Sequence, residues 1–262
     1  MTDIDSTKAT CGSAHSWGSK STANDKVSPL HGAGNQPDPL QYVNLVELEY
    51  NPHVPRIPWY CNTVLDCACQ YGSTSLAAQF GWNFARSCEF WKDNVPLTEE
   101  QRKCTILDKR FKMIGLDPNV NAVTFSVSMN IIDEGIVQSF DDVMSEATKQ
   151  ALRSADVWIM QQCMSYMPSE HLKLWINEFL HDRTRPKRFI YDFNPVFDKR
   201  NMHPLVLFGD QHMDWEVEEE RYYGYRKKTE HEYHDSEANA HEMCVWHYVI
   251  DFNPPVHMHH ST

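Results

Sequence analysis

A chain of 262 residues with 41% hydrophobic content is long enough for one large α/β domain with a full core and too short for two. The formal net charge of −12 excludes nucleic-acid phosphate as the main partner, because such binders cluster Lys and Arg to displace counterions, and a small molecule becomes the default partner. No apolar run reaches membrane-spanning length, and the first twenty residues lack the basic and apolar blocks of a secretory signal, which predicts a soluble cytoplasmic protein with no membrane partner.

Residues 1–38 are rich in Ser, Thr, Gly, Asn and Asp and predict a flexible tail, since they offer little apolar surface to repay ordering. Residues 39–60 carry apolar side chains at helical spacing from Tyr42 to Leu48, then three prolines, which predicts a short helix and an extended arm or lid. Val64 to Ala78, VLDCACQYGSTSLAA, is a short apolar strand, an acid, a tight turn and a helix. In that turn Gly72 is expected to let the backbone approach a ligand, and Ser73 or Thr74 to cap the helix. The stretch 85–110 is polar and helical in tendency, with a helix start at Thr98, and reads as an insertion.

KMIGLD, ending at Asp117, is the next parallel strand. Its terminal acid is placed to accept hydrogen bonds from ribose hydroxyls. A helix follows with Pro118 in its first turn and Val120, Val123 and Val127 on one side. GIVQSFDD is a third strand ending in acids, Ser145 to Ser154 a helix, and ADVWIMQQC a fourth strand with Gln161, Gln162 and Cys163 at its carboxyl end. Pro168 opens a helix whose Leu172, Trp175, Ile176 and Phe179 form one apolar face, and KRFIYD is a fifth strand. The last seventy residues alternate apolar and polar and predict an antiparallel hairpin. Together these elements predict an α/β fold: a mostly parallel, seven-stranded Rossmann-like sheet, helices on both faces and an antiparallel C-terminal hairpin. The domain is expected over 61–255, with 256–262 a flexible end.

The turn offers C-A-C-Q-Y-G, with Ala68 and Gln70 where a dinucleotide corner would carry glycines, so pyrophosphate cradling is poorly supported. A nucleoside cofactor without phosphates tolerates side chains there, and S-adenosylmethionine fits that description. VLDCACQYGSTSL, MIGLDPNVNAV, DVWIMQQCMSYM, RFIYDFNP and the terminal hairpin, taken in order over about residues 60–250, resemble the class I S-adenosylmethionine-dependent methyltransferases. Asp66, Ala68 and Gly72 match the family's first motif, from which Gln70 departs. The resemblance implies that Asp117 is the ribose-binding acid, that Asp141 or Asp142 is the adenine-proximal acid and that Phe140 covers the adenine. Gln161, Gln162 and Cys163 would lie beside the methionine part and the acceptor. Cys67, Tyr71 and Pro118 complete the implied cofactor-binding set.

Methyl transfer from a sulfonium requires alignment and exclusion of water, and an acceptor with an ionisable proton also needs a base. His171, His203, His212 and His247 are candidates, with His171, His212 and Tyr166 the first choices for catalysis. Tyr42, Cys163, Tyr166 and Trp215 are candidates to line the acceptor site. Aromatic and acidic surroundings there favour an amine or an aromatic metabolite, methylated on N or O.

Blander readings stand beside these. Asp66 could serve as a capping acid in any α/β corner, although Gly72 and Asp117 beside it favour the cofactor role. Cys67 and Cys69 read as small turn residues, and the eight cysteines, without a C-x-x-C pair, as reduced thiols. His231, His234 and His241 read as a solvated face rather than a metal site. Trp215, Tyr222, Tyr223 and Tyr225 read as sheet packing or as the contact of a homodimer. The competing functions are a non-catalytic metal-binding or interaction protein on the same fold, and a nicotinamide-dependent oxidoreductase.

Overall fold

The computed structural model describes residues 54–254 apart from 162, 194–199, 201, 210–213 and 226–241. The tail, most of the arm including Tyr42, and Gln162, His212 and the His-rich hairpin tip therefore lie outside the described residues.

Seven strands form one sheet in the order β3-β2-β1-β4-β5-β7-β6. They are β1 (Thr63–Cys67), β2 (Lys112–Asp117), β3 (Glu134–Val137), β4 (Val157–Met160), β5 (Lys187–Phe193), β6 (Trp215–Tyr225) and β7 (Glu242–Phe252). The first five are parallel, β7 runs antiparallel to β5, and β6 antiparallel to β7. The expected fold class is thus the one observed. The chain lays β1, β2 and β3 outward in one direction, then returns past β1 to lay β4 and β5 in the other. The carboxyl ends of β1 and β4 therefore flank the point where the winding reverses, which is where open α/β sheets bind ligands.

The helices are α1 (Ser73–Phe80), α2 (Phe84–Asp93), α3 (Glu99–Lys103), α4 (Val120–Ser128), α5 (Glu146–Ser154), α6 (Ser169–Phe179) and α7 (Pro204–Phe208). One face of the sheet packs Val64, Met113, Ile159, Ile190 and Val249 against α1, α2 and α4. The other packs Leu65, Leu116, Trp158, Phe189 and Ile250 against α5, α6 and α7. Strand β4 is buried at every residue, as a parallel strand covered on both faces must be. On the α6 side a file of rings crosses it: Trp158 stacks on Phe189 at 4.3 Å, Phe189 on Tyr191 at 5.0 Å, Tyr191 leans on Tyr248 at 5.1 Å, and Tyr248 on Trp246 at 6.1 Å.

Local signals set most helix starts. Asn83, Thr98, Asn119 and Ser145 each accept a backbone N–H at the start of α2, α3, α4 and α5, and Thr98 with Gln101 completes a capping box. The apolar face expected for α6 is buried residue for residue. Two local expectations fail. Neither Ser73 nor Thr74 caps α1, whose N-cap is Gly72 in the left-handed region. In α4 the buried face is Ala122, Val123 and Ser126, while Val120 and Val127 are exposed, because the helix sits beside the short edge strand β3 and little covers its far side. The stretch 85–110 holds α2 and α3, and sends Phe90, Trp91 and Leu97 into the core.

Lys187 at the start of β5 is fully buried. Its Nζ donates to the carbonyl oxygens of Arg153 at 3.1 Å and Ala155 at 2.7 Å, closing the C-terminus of α5, and lies 4.4 Å from the centre of the Phe179 ring. Burial lowers this amine to about 8. A cation at a helix C-terminus satisfies carbonyls that have no intrahelical partner. Lys187→Met keeps the volume and removes the donor, so it should cost about 2–3 kcal/mol, read as a lower urea midpoint with an unchanged m-value.

Candidate active site

Asp66, Asp117 and Asp192 follow the same rule along the chain: an apolar run, VL, MIGL or FIY, ends in a carboxylate near the carboxyl end of its strand. Alternation puts all three on the face covered by α1, α2 and α4, because Asp66 follows the phase of Val64, Asp117 that of Met113, and Asp192 that of Ile190.

The turn after β1 has an unusual backbone. Ala68 (φ 57°), Gln70 (φ 46°) and Gly72 (φ 86°) alternate in the left-handed region. An L-residue pays about 1–2 kcal/mol for that conformation, so each must be held. The Cys69 N–H donates to the Leu116 carbonyl at 3.1 Å and the Gly72 N–H to the Cys69 carbonyl at 2.8 Å. The Gln70 N–H donates to Asp117 Oδ2 at 2.9 Å, and the Gln70 carbonyl accepts from Ser126 Oγ at 3.2 Å. The positions where a dinucleotide corner carries glycines thus keep the glycine-type backbone and bear side chains instead.

Asp117 is 4% exposed and holds two loops at once. Besides Gln70 on Oδ2, its Oδ1 accepts the Asn119 N–H at 2.8 Å. Burial pushes its carboxyl up to about 6, against the pull of those two N–H groups. Asp66 is 1% exposed and accepts from Ser75 Oγ at 2.7 Å. Burial, opposed by Ser75 and reinforced by the nearby Asp117 charge, pushes it up to about 7. The Ser75 backbone N–H also pulls this carboxyl down, so Asp66 lies against the first turn of α1, whose N-cap is Gly72.

The remaining expected residues divide. Tyr71 lies on the turn, but its ring is buried against Phe125 at 5.7 Å and Trp91 at 6.3 Å, so the side chain is core and not a wall of the crevice. Gly72 is needed for packing: a Cβ there would stand 2.6 Å from Ile131 Cγ2. Cys67 and Cys163 turn to the other face, where Trp158 Nε1 donates to Cys67 Sγ at 3.1 Å and Cys163 Sγ to the Cys67 carbonyl at 3.5 Å. Burial raises both thiols, so Cys163 is a core residue rather than part of an acceptor wall. Ala68 and Pro118 are half-buried at the turn and at the end of β2, and Gln161 is buried just past β4.

Phe140 is buried edge-on against Trp175 at 5.5 Å, and Asp141 is exposed beside it, its N–H donating to Ser139 Oγ at 3.3 Å. His171 donates from Nδ1 to the Phe140 carbonyl at 2.5 Å, fastening the loop after β3 to α6. Tyr166 ends a single 3₁₀ turn after β4 and is half-buried against the core. His203 caps α7 through Nδ1 at 3.2 Å from the Leu205 N–H. Trp215 is misplaced by the sequence reading. It pairs with Phe252, which pairs with Lys187 at the start of β5, so antiparallel pairing carries it to the opposite end of the sheet from the acids. Trp246, opposite Phe193, is a hairpin aromatic that pairing does carry to the carboxyl end.

Two residues outside the expected set belong to this end. Asn119, 5% exposed, accepts the Asn121 N–H at 3.0 Å through Oδ1, while its Nδ2 is buried with no hydrogen-bond partner among the described residues. Asp192 Oδ1 stands 2.6 Å from His247 Nδ1, both side chains fully buried. The repeated strand-end acid could have signalled Asp192, whereas nothing local marks the unfilled amide of Asn119. Among the described residues no three His, Cys, Asp or Glu side chains gather as metal ligands, and no helix is long and apolar enough to cross a membrane.

No family model and no curated protein matches the chain. Among solved structures it is similar to magnesium protoporphyrin IX methyltransferase from Synechocystis with bound SAM, at 12% identity over 71% of this chain and 68% of that one, TM-score 0.37. It is also similar to the YcgJ protein from Bacillus subtilis, at 11% identity over 74% and 92%, TM-score 0.43. A third is the plantazolicin methyltransferase BamL in complex with a triazolic desmethylPZN analog and SAH, at 9% identity over 74% and 78%, TM-score 0.40.

Gly72→Ala should destabilise the protein by about 3 kcal/mol, combining left-handed strain with the clash on Ile131, and thermal unfolding measures it. The raised Asp66 has a distinct signature. A carboxyl whose folded pKa exceeds its unfolded one contributes stability that is full below about pH 4 and lost as pH rises through about 7. Asp66→Asn keeps an acceptor for Ser75 and removes the titration, so stability measured from pH 4 to pH 8 should fall by about 2–4 kcal/mol less than in the parent.

Proposed function

We propose that the chain is a methyltransferase that uses S-adenosylmethionine to methylate a small molecule on nitrogen or oxygen, with an amine or an aromatic metabolite the favoured acceptor. The observation that carries this reading is the Asp117 carboxylate, buried at the end of β2 and bonded to the turn after β1 through the Gln70 N–H. It brings a ribose-type acceptor and a phosphate-free turn together at the winding reversal of the sheet. Each carboxylate oxygen receives one backbone N–H and retains a lone pair for a further donor such as a ribose hydroxyl.

The residues present fit such a cofactor. Asn119 Nδ2 is a buried donor in want of an acceptor, which a nucleoside supplies through its ring or ribose. The turn bears side chains at 68 and 70 where a dinucleotide corner carries glycines, and a sulfonium nucleoside places no anion there. When bound, S-adenosylmethionine supplies a methyl group on a charged sulfur: the acceptor lone pair bonds to the methyl carbon, the C–S electron pair goes to sulfur, and an N–H or O–H acceptor must give up its proton. The chain's own work is to hold the nucleoside at Asp117 and Asn119, to fix the turn through Ser126 and Leu116, and to exclude water.

Calorimetry with S-adenosylhomocysteine tests the reading. Wild-type protein should bind it, Asp117→Asn should bind at least about tenfold more weakly, and Asn119→Ala about fivefold more weakly. Because a ribose hydroxyl donates to the ionised carboxylate, affinity should also rise between pH 5 and pH 7, through the Asp117 value of about 6. Absence of binding at high micromolar ligand, or binding indifferent to Asp117→Asn, would overturn it.

A further inference from the structure

We infer that the site discriminates by charge and holds the sulfonium form of its nucleoside more tightly than the neutral thioether left after transfer, an inference that rests on the methyl-transfer reading. The placement of acids and cations carries it. At the amino end of the sheet the acids that leave the surface each hold an arginine. Asp133, before β3, takes Arg102 at 2.5 Å and also Arg110, and Asp156, before β4, takes Arg185. Asp251, level with the start of β5, takes Arg188 through two bonds of 2.7 Å. At the carboxyl end this pattern stops. Asp117 on β2, Asp66 on β1 and Asp192 on β5 are all buried, and none of them pairs with a lysine or arginine among the described residues.

Asp117 takes two backbone N–H groups and Asp66 takes Ser75. Asp192 gives Oδ1 to the imidazole of His247, while its Oδ2 is buried with no hydrogen-bond partner among the described residues. Hydrogen bonds from neutral groups return only part of what a carboxylate loses on leaving water. Burial accordingly pushes Asp117 up to about 6 and Asp66 up to about 7, the second reinforced by the charge of the first. The strand order β2-β1-β4-β5 sets Asp66 between the other two and one layer beneath them, and three strand spacings of about 4.8 Å part Asp117 from Asp192 by about 14 Å. A nucleoside held at Asp117 and lying along the ends of β1 and β4 would carry its sulfur into the gap between these acids. A positive charge there offsets the cost of burying them, and salt screens it little because the carboxylates are buried. A thioether of nearly the same shape offers no such return. Methyl transfer removes the charge from the cofactor, so the product is the form that the site holds less well.

Calorimetry at pH 8 with three ligands and no acceptor tests it: S-adenosylmethionine, S-adenosylhomocysteine, and sinefungin, which carries an ammonium group where the sulfonium stands. Both cations should bind at least about tenfold more tightly than S-adenosylhomocysteine. That ratio should hold within about twofold from about 50 mM to about 500 mM NaCl, whereas an attraction due only to the net charge of −12 would be screened away. Asp66→Asn and Asp192→Asn should each cut the ratio at least about threefold, and Glu134→Gln, at the exposed start of β3 where Glu134 meets Lys112, should leave it unchanged. If none of the three ligands binds, the methyl-transfer reading falls and this inference with it. If they bind with equal affinity, if the ratio collapses in high salt, or if Asp66→Asn and Asp192→Asn both leave it intact, the charge discrimination alone is overturned.

Discussion

The carboxylate of Asp117 is the joint on which this end of the molecule depends. One oxygen holds the Gln70 N–H of the turn after β1, the other the Asn119 N–H at the start of α4, so one buried acid fixes the loop it opens and a turn 47 residues before it in sequence. The cost is visible in the same group: burial raises its carboxyl towards neutrality although two donors pull it down. Asp66 repeats the arrangement one strand over with Ser75 as its donor. Burying two neighbouring carboxyls costs stability, and strongly shifted, buried titratable groups of this kind cluster at functional sites.

Much of this was legible in the sequence because it rests on local or periodic signals. The strand–helix alternation, the helix start at Thr98 and the apolar stripe of α6 are set within a few residues, and the structure reproduces them. Asp66 and Asp117 were legible for a related reason, since an acid ending an apolar strand has few places to go. The failures share the opposite property. Tyr71 and Cys163 sit in the right segments, but which way a side chain turns from a strand end is decided by packing partners such as Phe125 and by the phase of the strand. Trp215 fails because pairing direction inverts position: the residue that opens β6 is carried to the far end of the sheet, and Trp246, late in sequence, comes to the near one.

The two faces divide the labour. The face towards α6 is almost wholly apolar and is crossed by the file of rings from Trp158 to Trp246, which fixes β4, β5 and β7 against one another. The face towards α1 carries Asp117, Asp192 and His247 near the carboxyl end of the sheet, and Asp66 one layer beneath, level with Ile159 and Ile190. Polar groups can be held in unfavourable surroundings on one side because the other side holds the strands rigidly.

The turn from Ala68 to Gly72 has a consequence for how a ligand is met. Glycine at 68 and 70 would sample mirror-image wells with little preference, whereas alanine and glutamine sit in the left-handed well under the restraint of four hydrogen bonds around the turn. Such a hinge has little freedom left to surrender, so a molecule bound as proposed would find its cradle already cast, the entropy of shaping it having been spent when the chain first folded.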